Sequence, residues 1–238
     1  LLIHCAGGSS VAYSLSHPRE DFQNTVATTA DVLEFSKLRA GKTAVVLPSS
    51  AAVYGLAGHR AIPVNSSLRP VSPYGVHKRM AEELCRSYAA SWKVPVAVVR
   101  LFSVYGEGLR KQLLWDACVK AEAARFTFFG TGEEVRDWLH VSDAASLLVL
   151  AAEKASPDCP VVNGGTGIGT SNKDILGQLG SMWEPPMEPC FTGIQRPGDP
   201  ECYVADTSCL RAWGFTPSIT LRRAIPEYIR WFRSGVTR

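Results

Sequence analysis

The chain has 238 residues, of which 46% are hydrophobic and 20% charged, and its formal net charge is +3. A chain this apolar can bury enough surface to offset its conformational entropy, so the composition excludes an intrinsically disordered protein. The longest apolar run, at residues 144–152, is interrupted by Ser146 and is far shorter than the roughly 20 residues of a membrane span. Charges of both signs are mixed along the sequence, which argues against a nucleic-acid-binding stripe. We therefore expect a soluble globular protein with neither a membrane nor a nucleic-acid partner.

The cysteines and histidines give no sign of a disulfide framework or a metal site. The seven cysteines are scattered and form no C-x-x-C pair, and no histidine stands at metal-ligand spacing from a second ligand. No basic segment followed by an apolar stretch opens the sequence, as a secretory signal would. We interpret the cysteines as reduced structural thiols, expect no metal, and expect a cytoplasmic protein.

Apolar runs alternate with helical patterns in the first 105 residues. The continuous runs at residues 43–47 and 94–101 are typical of parallel strands covered on both faces. The predicted elements, in chain order, are a strand at 1–5, a helix from Pro18, a strand at 43–47, a helix at Pro73–Trp92 and a strand at 94–101. In the helix from Pro18, the residues Phe22, Val26, Ala30 and Leu33 are predicted to share the buried face. Alternation at this spacing favours a parallel α/β sheet.

The second part of the chain has a different texture. It predicts a helix at 112–124, a strand at 126–129, a helix capped by Ser142, a strand at 161–163, a helix capped by Ser171 and a last helix at Leu221–Arg233. We therefore predict one domain over residues 1–105 and a smaller mixed α/β domain over residues 106–238.

Tyr74 and Lys78 stand four residues apart in a predicted helix, so their side chains share one face. A phenol with a pKa of about 10 is a poor base at neutral pH. A neighbouring cation stabilises the phenolate and lowers that pKa. Ser50 follows a predicted parallel strand, at the edge where such sheets bind ligands. The three residues together predict a catalytic proton network, whereas a Tyr-x-x-x-Lys pair alone would be a weak signal.

Further motifs follow in an order seen in one enzyme family. They are His4-Cys5-Ala6-Gly7, the set of Ser50, Tyr74 and Lys78, and the segments 100–106, 136–141 and 196–199. With these motifs the chain resembles, over essentially its whole length, the extended short-chain dehydrogenase/reductase family in its nucleotide-sugar epimerase/dehydratase branch. The resemblance implies a Rossmann-type doubly wound parallel sheet, N-terminally incomplete, with a smaller C-terminal mixed α/β substrate domain.

The resemblance also implies the residues of the site. Ser50, Tyr74 and Lys78 correspond to the family's catalytic triad. The implied cofactor is NAD, with NADP as the open alternative, and its implied contacts are Cys5, Ala6, Gly7, Asn24, Pro48, Ser49, Tyr74, Lys78, Leu101 and Phe102. The implied contacts of a nucleotide-diphosphate sugar are Ser50, Ser103, Thr127, Phe128, Phe129, Arg136, Arg196 and Asp199.

Three departures from the family's pattern bear on these expectations. The family opens with a strand and a G-x-x-G-x-x-G turn that holds the NAD pyrophosphate. This sequence contains no such turn, and we expect the first strands of the fold to be missing; the glycine-rich loop at 164–169 has the wrong spacing to replace it. Ser103 stands where the family has a diphosphate-contacting asparagine. Ala51 and Ala52 stand where the family's 4,6-dehydratases carry an Asp-Glu pair, which disfavours that reaction.

The leading hypothesis is an NAD-dependent epimerase that interconverts the C4 hydroxyl configuration of a UDP-hexose through a transient 4-keto sugar. The alternatives are an NAD(P)-dependent 4-keto-sugar reductase with the same triad and a non-catalytic truncated remnant. The resemblance implies a homodimer, formed by the helices at 21–38 and Pro73–Trp92 through residues such as Phe22, Val26, Leu84 and Tyr88. His77 and His140 are expected to be structural.

Overall fold

The computed structural model describes residues 1–8, 10–39, 42–58, 61–194 and 200–235. Its strands are β1 (Leu2–Ile3), β2 (Val45–Ser50), β3 (Val96–Leu101), β4 (Ser103–Tyr105), β5 (Thr127–Phe128), β6 (Val135–His140), β7 (Val161–Gly164), β8 (Gly169–Ser171), β9 (Cys190–Phe191) and β10 (Cys202–Tyr203). Its α-helices are α1 (Val11–Ser16), α2 (Pro18–Phe22), α3 (Thr28–Leu38), α4 (Pro73–Trp92), α5 (Gln112–Glu122), α6 (Val141–Lys154), α7 (Asn172–Ser181), α8 (Ser208–Ala212) and α9 (Leu221–Arg233). Within these ranges no helix is both long and apolar enough to span a bilayer.

The main sheet has the strand order β1-β2-β3-β7, and all its strands are parallel. Alternate residues of its central strands point to opposite layers. Val98 of β3 packs in the cluster that holds Leu33 of α3 and Cys85 of α4, whereas its neighbour Val99 packs against Leu147 of α6. Helices therefore cover both faces, as expected for a doubly wound sheet. Strand β7 reaches this sheet from well beyond residue 105.

Helix α4 has the bounds that the sequence predicts. Ser72 is its N-cap, with a side chain that accepts a hydrogen bond from the Gly75 amide at 3.2 Å, and Pro73 occupies the first position. Lys93 ends the helix in the left-handed conformation, with φ of 57°. Tyr74 therefore lies in the first turn of α4, and Lys78 lies in the second.

The helix that opens at Pro18 differs from the prediction. It runs as α2, a π-helical segment at Gln23–Ala27 and then α3, and a π turn advances the register by one residue relative to an α-helix. The buried residues of this stretch include Asp21, Thr25, Val26, Thr29 and Leu33, so Val26 and Leu33 are buried as predicted. Phe22, which was expected to be buried, is 38% exposed.

The second part of the chain forms two small sheets. Strands β10, β6 and β4 are parallel, β8 pairs antiparallel with β6, and β5 pairs with β9. A separate apolar cluster joins β5 and β6 to α5, α7 and α9. The cap of α6 also differs from the prediction: His140, not Ser142, is the N-cap, and its ring accepts a hydrogen bond from the Ser142 amide at 3.2 Å. The structural role expected for His140 is this cap.

Candidate active site

A cavity of about 660 Å³ opens at the carboxyl ends of β1, β2 and β3. Parallel sheets bind ligands at this edge because their loops and helix starts converge there. The cavity is lined by nine of the residues expected at the catalytic and cofactor positions, which are Cys5, Gly7, Pro48, Ser49, Ser50, Tyr74, Lys78, Leu101 and Phe102. The structure therefore brings together residues that are up to 97 positions apart in the sequence.

Tyr74 is fixed by the contacts at the start of α4. Its amide donates a hydrogen bond to Ser14 Oγ at 3.0 Å, which joins α1 to α4. Gly75 allows the helix to approach the turn after β2, because a Cβ at this position would lie 2.6 Å from the Ala52 carbonyl oxygen. This close approach leaves the Tyr74 hydroxyl within hydrogen-bonding reach of the Ser50 side chain.

The electrostatics of Tyr74 differ from the sequence prediction. Burial raises the pKa of the Tyr74 phenol, the hydrogen bond with Ser50 opposes this, and the negative charge of Asp21 adds to it. The pKa is thus raised and not lowered as expected, because the neutral phenol is favoured where water is excluded. The Lys78 ammonium lies 5.8 Å from the centre of the Tyr74 ring.

Lys78 follows Tyr74 by one helical turn and is only 7% exposed. Its ammonium donates a hydrogen bond to the Pro48 carbonyl at 3.2 Å. Burial lowers the pKa of Lys78 to about 8, with Asp21 acting in the opposite sense. The ammonium of Lys78 has three N–H donors, and the Pro48 carbonyl is its one acceptor among the described residues. Donors therefore remain for a ligand in the cavity.

A buried ion pair fixes α4 against the strand ends. Glu82 lies one turn beyond Lys78 and is fully buried, and it receives hydrogen bonds from Ser49 Oγ at 2.6 Å and from Arg100 Nη2 at 2.7 Å. Arg100 also donates to Tyr54 Oη at 2.9 Å. Ser49, assigned to the cofactor, therefore lines the cavity while its hydroxyl is bonded to Glu82.

Two cofactor assignments are not supported by this geometry. The side chain of Asn24 is exposed. The neighbouring Thr25 faces inward, and its Oγ1 accepts a hydrogen bond from the Gly8 amide at 2.8 Å. The register of the π turn is the reason for this correction. Ala6 is also exposed and does not line the cavity.

A second cavity of about 590 Å³ lies over β6 and the end of β5. Four residues expected to bind the nucleotide sugar line it, which are Ser103, Phe128, Phe129 and Arg136. Thr127 does not, because it alternates with Phe128 on β5 and lines a different groove. Arg196 and Asp199 lie outside the described residues.

The two cavities adjoin, because Ser103, Gln112 and Arg136 line both. Gln112 was not found from the sequence; it begins α5 with a φ of 68°, an uncommon conformation for a residue other than glycine. Trp138, in the motif at 136–141, also lines the second cavity, as does Asn172, which had no sequence signal. The geometry is that of one cleft, with the Ser-Tyr-Lys set at one end and aromatic residues at the other.

The glycine-rich loop after β7 is occupied by a contact within the protein. The amides of Thr166 and Gly167 donate to the Asp137 carboxylate at 2.7 and 2.8 Å, as does the Ala205 amide at 3.1 Å. These donors secure β6, which carries Arg136, and agree with the expectation that this loop does not replace a pyrophosphate turn.

The first cavity has the features that the nicotinamide end of NAD requires. Gly7, at a φ of 147°, leaves the space beside Lys78 open, because a Cβ there would lie 3.4 Å from the ammonium. Phe102 offers an apolar wall, and Lys78 offers donors for ribose hydroxyl groups. The residues present therefore fit this part of the cofactor.

Comparison with known proteins agrees with this geometry. The profile of the NAD dependent epimerase/dehydratase family matches residues 1–164. The chain is 30% identical over 230 residues to the UDP-glucose 4-epimerase of Azospirillum brasilense, covering 88% of this chain and 66% of that enzyme. Among solved structures, it is similar to the UDP-glucose 4-epimerase of Thermotoga maritima with UDP-glucose, with a TM-score of 0.90, 25% identity and coverage of 99% of this chain and 77% of that one. It is also similar to MoeE5 in complex with UDP-glucose and NAD, with a TM-score of 0.86, 30% identity and coverage of 99% and 79%. The chain belongs to the NAD dependent epimerase/dehydratase family.

Proposed function

We propose that this chain is an NAD-dependent epimerase that inverts the C4 hydroxyl configuration of a UDP-hexose through a transient 4-keto sugar. The observation that carries the proposal is the single cleft, in which Ser50, Tyr74 and Lys78 adjoin a second cavity across Ser103 and Arg136. The proteins of Azospirillum brasilense and Thermotoga maritima described above, both UDP-glucose 4-epimerases, support the choice of a UDP-sugar.

In this proposal Tyr74 is the catalytic base. Its phenolate accepts the proton of the C4 hydroxyl group and returns it to the 4-keto sugar's oxygen in the reverse step. Ser50 donates a hydrogen bond to the same sugar oxygen. Burial favours the neutral phenol, so the positive charge of Lys78 is needed to stabilise the phenolate. NAD, when bound, supplies the acceptor and donor of the C4 hydride.

The second cavity is proposed to hold the nucleotide. Arg136 lies on β6 at the junction of the two cavities and suits bidentate binding of the diphosphate. The main chain of Phe128 and Phe129 is proposed to meet the base. Arg196 and Asp199 remain proposed contacts of the diphosphate and of the ribose hydroxyl groups.

We further propose that the protein is a homodimer formed through α3 and α4. Large apolar side chains are exposed on and next to these helices, and such patches mark association surfaces. They are Phe22, Phe35, Leu38, Val76, Met80 and Trp92. Of the other residues expected at this contact, Val26 is buried, and Leu84 and Tyr88 pack partly against the main sheet's core.

The domain division and the location belong to the same proposal. Residues 1–105 carry the catalytic set, and residues 106–238 mainly bind the nucleotide sugar, with α6 and β7 returning to the main sheet. All seven cysteines, each in a described range, are free thiols, which suits the reducing cytoplasm.

The test is a product assay on the full chain with NAD and, in separate reactions, UDP-glucose, UDP-galactose, UDP-N-acetylglucosamine and UDP-glucuronic acid. We expect at least one of these to be converted to its C4 epimer, as resolved by anion-exchange chromatography, without net reduction of NAD, and Tyr74→Phe to abolish this. Stoichiometric consumption of NADPH with a 4-keto sugar would instead identify the reductase. Binding of UDP without turnover of any of the four sugars would favour the non-catalytic alternative.

A further inference from the structure

Asp21 is a buried carboxylate outside the catalytic set. It lies on α2, is 1% exposed, and its Oδ2 lies 2.6 Å from Nδ1 of His77. Its Oδ1 is also buried and has no hydrogen-bond partner among the described residues. A buried carboxylate is costly unless an opposite charge or donors offset its desolvation. The surroundings of Asp21 therefore need a compensating positive charge.

His77 contacts Oδ2, and on the side of Oδ1 the candidate for that charge is Lys78. Gly7 and Gly8 lie beside the two groups: a Cβ on Gly7 would be 3.4 Å from Lys78 Nζ, and a Cβ on Gly8 would be 1.9 Å from Asp21 Oδ1. Both positions face the same side of the segment, since Thr25 Oγ1 lies 3.7 Å from the first and 3.1 Å from the second. The carboxylate and the ammonium therefore face adjacent residues of one glycine pair.

His77 ties this arrangement to the catalytic helix. It immediately precedes Lys78 on α4, its side chain is 12% exposed, and Phe22 packs edge-on against its ring. The bond from His77 to Asp21 therefore joins α2 to α4 beside the catalytic lysine. The structural role expected for His77 is this contact between α2 and α4.

The other titratable groups near Lys78 do not supply an equivalent charge. Glu82, one turn later on α4, is paired with Arg100 and Arg86. His4 and Cys5 flank the ammonium from the end of β1, and burial, with a smaller contribution from Lys78, lowers the pKa of His4 and disfavours a positive charge there. Tyr74 carries a negative charge only as the phenolate that Lys78 is proposed to stabilise, and burial raises its pKa. Burial lowers the pKa of Lys78, and nearby negative charges raise it. The contribution of Asp21 is the largest of those that raise it.

We propose that Asp21 is a positioning residue: its buried carboxylate, held by His77, is the counter-charge that keeps Lys78 an ammonium at neutral pH. The catalytic meaning of this rests on the proposed function, in which a charged Lys78 stabilises the Tyr74 phenolate. The counter-charge itself is a property of the chain and needs neither substrate nor cofactor.

The test is the pH dependence of amine labelling of the full chain. Acetic anhydride reacts with neutral amines only, and mass spectrometry of digests gives the labelling rate of Lys78 relative to the exposed Lys93. Asp21→Asn keeps the size of the side chain and its hydrogen bonding to His77 but removes the charge. We expect it to lower the pKa of Lys78 by about one unit, which raises the labelling rate at pH 7 about fivefold.

The midpoint of the labelling curve is the decisive quantity. A change in the accessibility of Lys78 would scale the rate at every pH without moving the midpoint, whereas loss of a counter-charge moves it down. Glu20→Gln, which removes the adjacent exposed carboxylate of α2, is the matched control and is expected to leave the midpoint in place. An unmoved midpoint in Asp21→Asn would overturn the proposal. Failure of the proposed epimerase activity would not alter this result, so the two failures can be told apart.

Discussion

The buried pair of Glu82 and Arg100 offers the sharpest prediction about stability. Arg100 donates to both carboxylate oxygens of Glu82, from Nε at 2.9 Å and from Nη2 at 2.7 Å, and both side chains are almost completely buried. Arg86 donates to the same carboxylate at 3.1 Å, but its side chain is 36% exposed. One carboxylate therefore has a buried partner and an exposed partner, which can be removed separately.

Arg100→Met removes the guanidinium and leaves Glu82 charged in the core. Removing one partner of a buried ion pair costs about 3–5 kcal/mol, because the remaining charge is no longer compensated. The side chain of Met fills part of the space, so the loss reflects charge more than volume. For a chain of this size the expected fall in melting temperature is about 6–20 °C.

The assay is urea unfolding followed by far-ultraviolet circular dichroism. Arg86→Met is the control and is expected to change the free energy of unfolding by no more than about 1 kcal/mol, as for an exposed ion pair. Glu82→Gln combined with Arg100→Met is expected to recover part of the loss, since no buried charge then remains. Equal effects of Arg100→Met and Arg86→Met would refute the reasoning that burial determines the cost.

Three further predictions concern the site and the assembly. Tyr74→Phe is expected to lower kcat by about 10²–10⁴-fold while leaving UDP affinity by calorimetry unchanged; more than a tenth of the native kcat would show that Tyr74 is not the base. Arg136→Ala and, separately, Arg196→Ala are expected to weaken UDP binding by about 1.5–3 kcal/mol, with the Lys variants recovering only part; unchanged affinity in both Ala variants would place the diphosphate elsewhere. Light scattering at micromolar concentration is expected to give a dimer that Phe35→Glu with Met80→Glu converts to a monomer, and a monomeric native chain would contradict the proposed contact.

The fold could be predicted from the sequence where its signals are local. The bounds of α4 follow from the Ser72 cap and from Pro73 at the first turn. The parallel strands β2 and β3 are predicted by continuous apolar runs. Such runs are typical of strands that are covered by other elements on both faces of the sheet. The three residues proposed as catalytic could be placed at one cavity because they stand at a strand end and at a four-residue spacing in a helix.

The remainder depends on geometry that a regular periodicity does not contain. The resemblance implies Asn24 as a cofactor contact, but a π turn, which has no signal in a 3.6-residue period, places Thr25 at the inner position instead. Gln112 lies at the junction of the two cavities because of a left-handed backbone conformation, which nothing in its side chain predicts. The raised pKa of Tyr74 is set by burial, which only the packed structure reveals.

The return of the chain to the main sheet affects how the protein can fold during synthesis. Strand β3 is paired on one side by β2 and on the other by β7, which is made 60 residues after β3 ends. Until then Val98 and Val99 belong to an apolar edge strand with unpaired amides, a known template for aggregation. A fragment ending near residue 105 would keep that edge permanently. The proposed division near residue 105 is thus not a boundary between independently folding units.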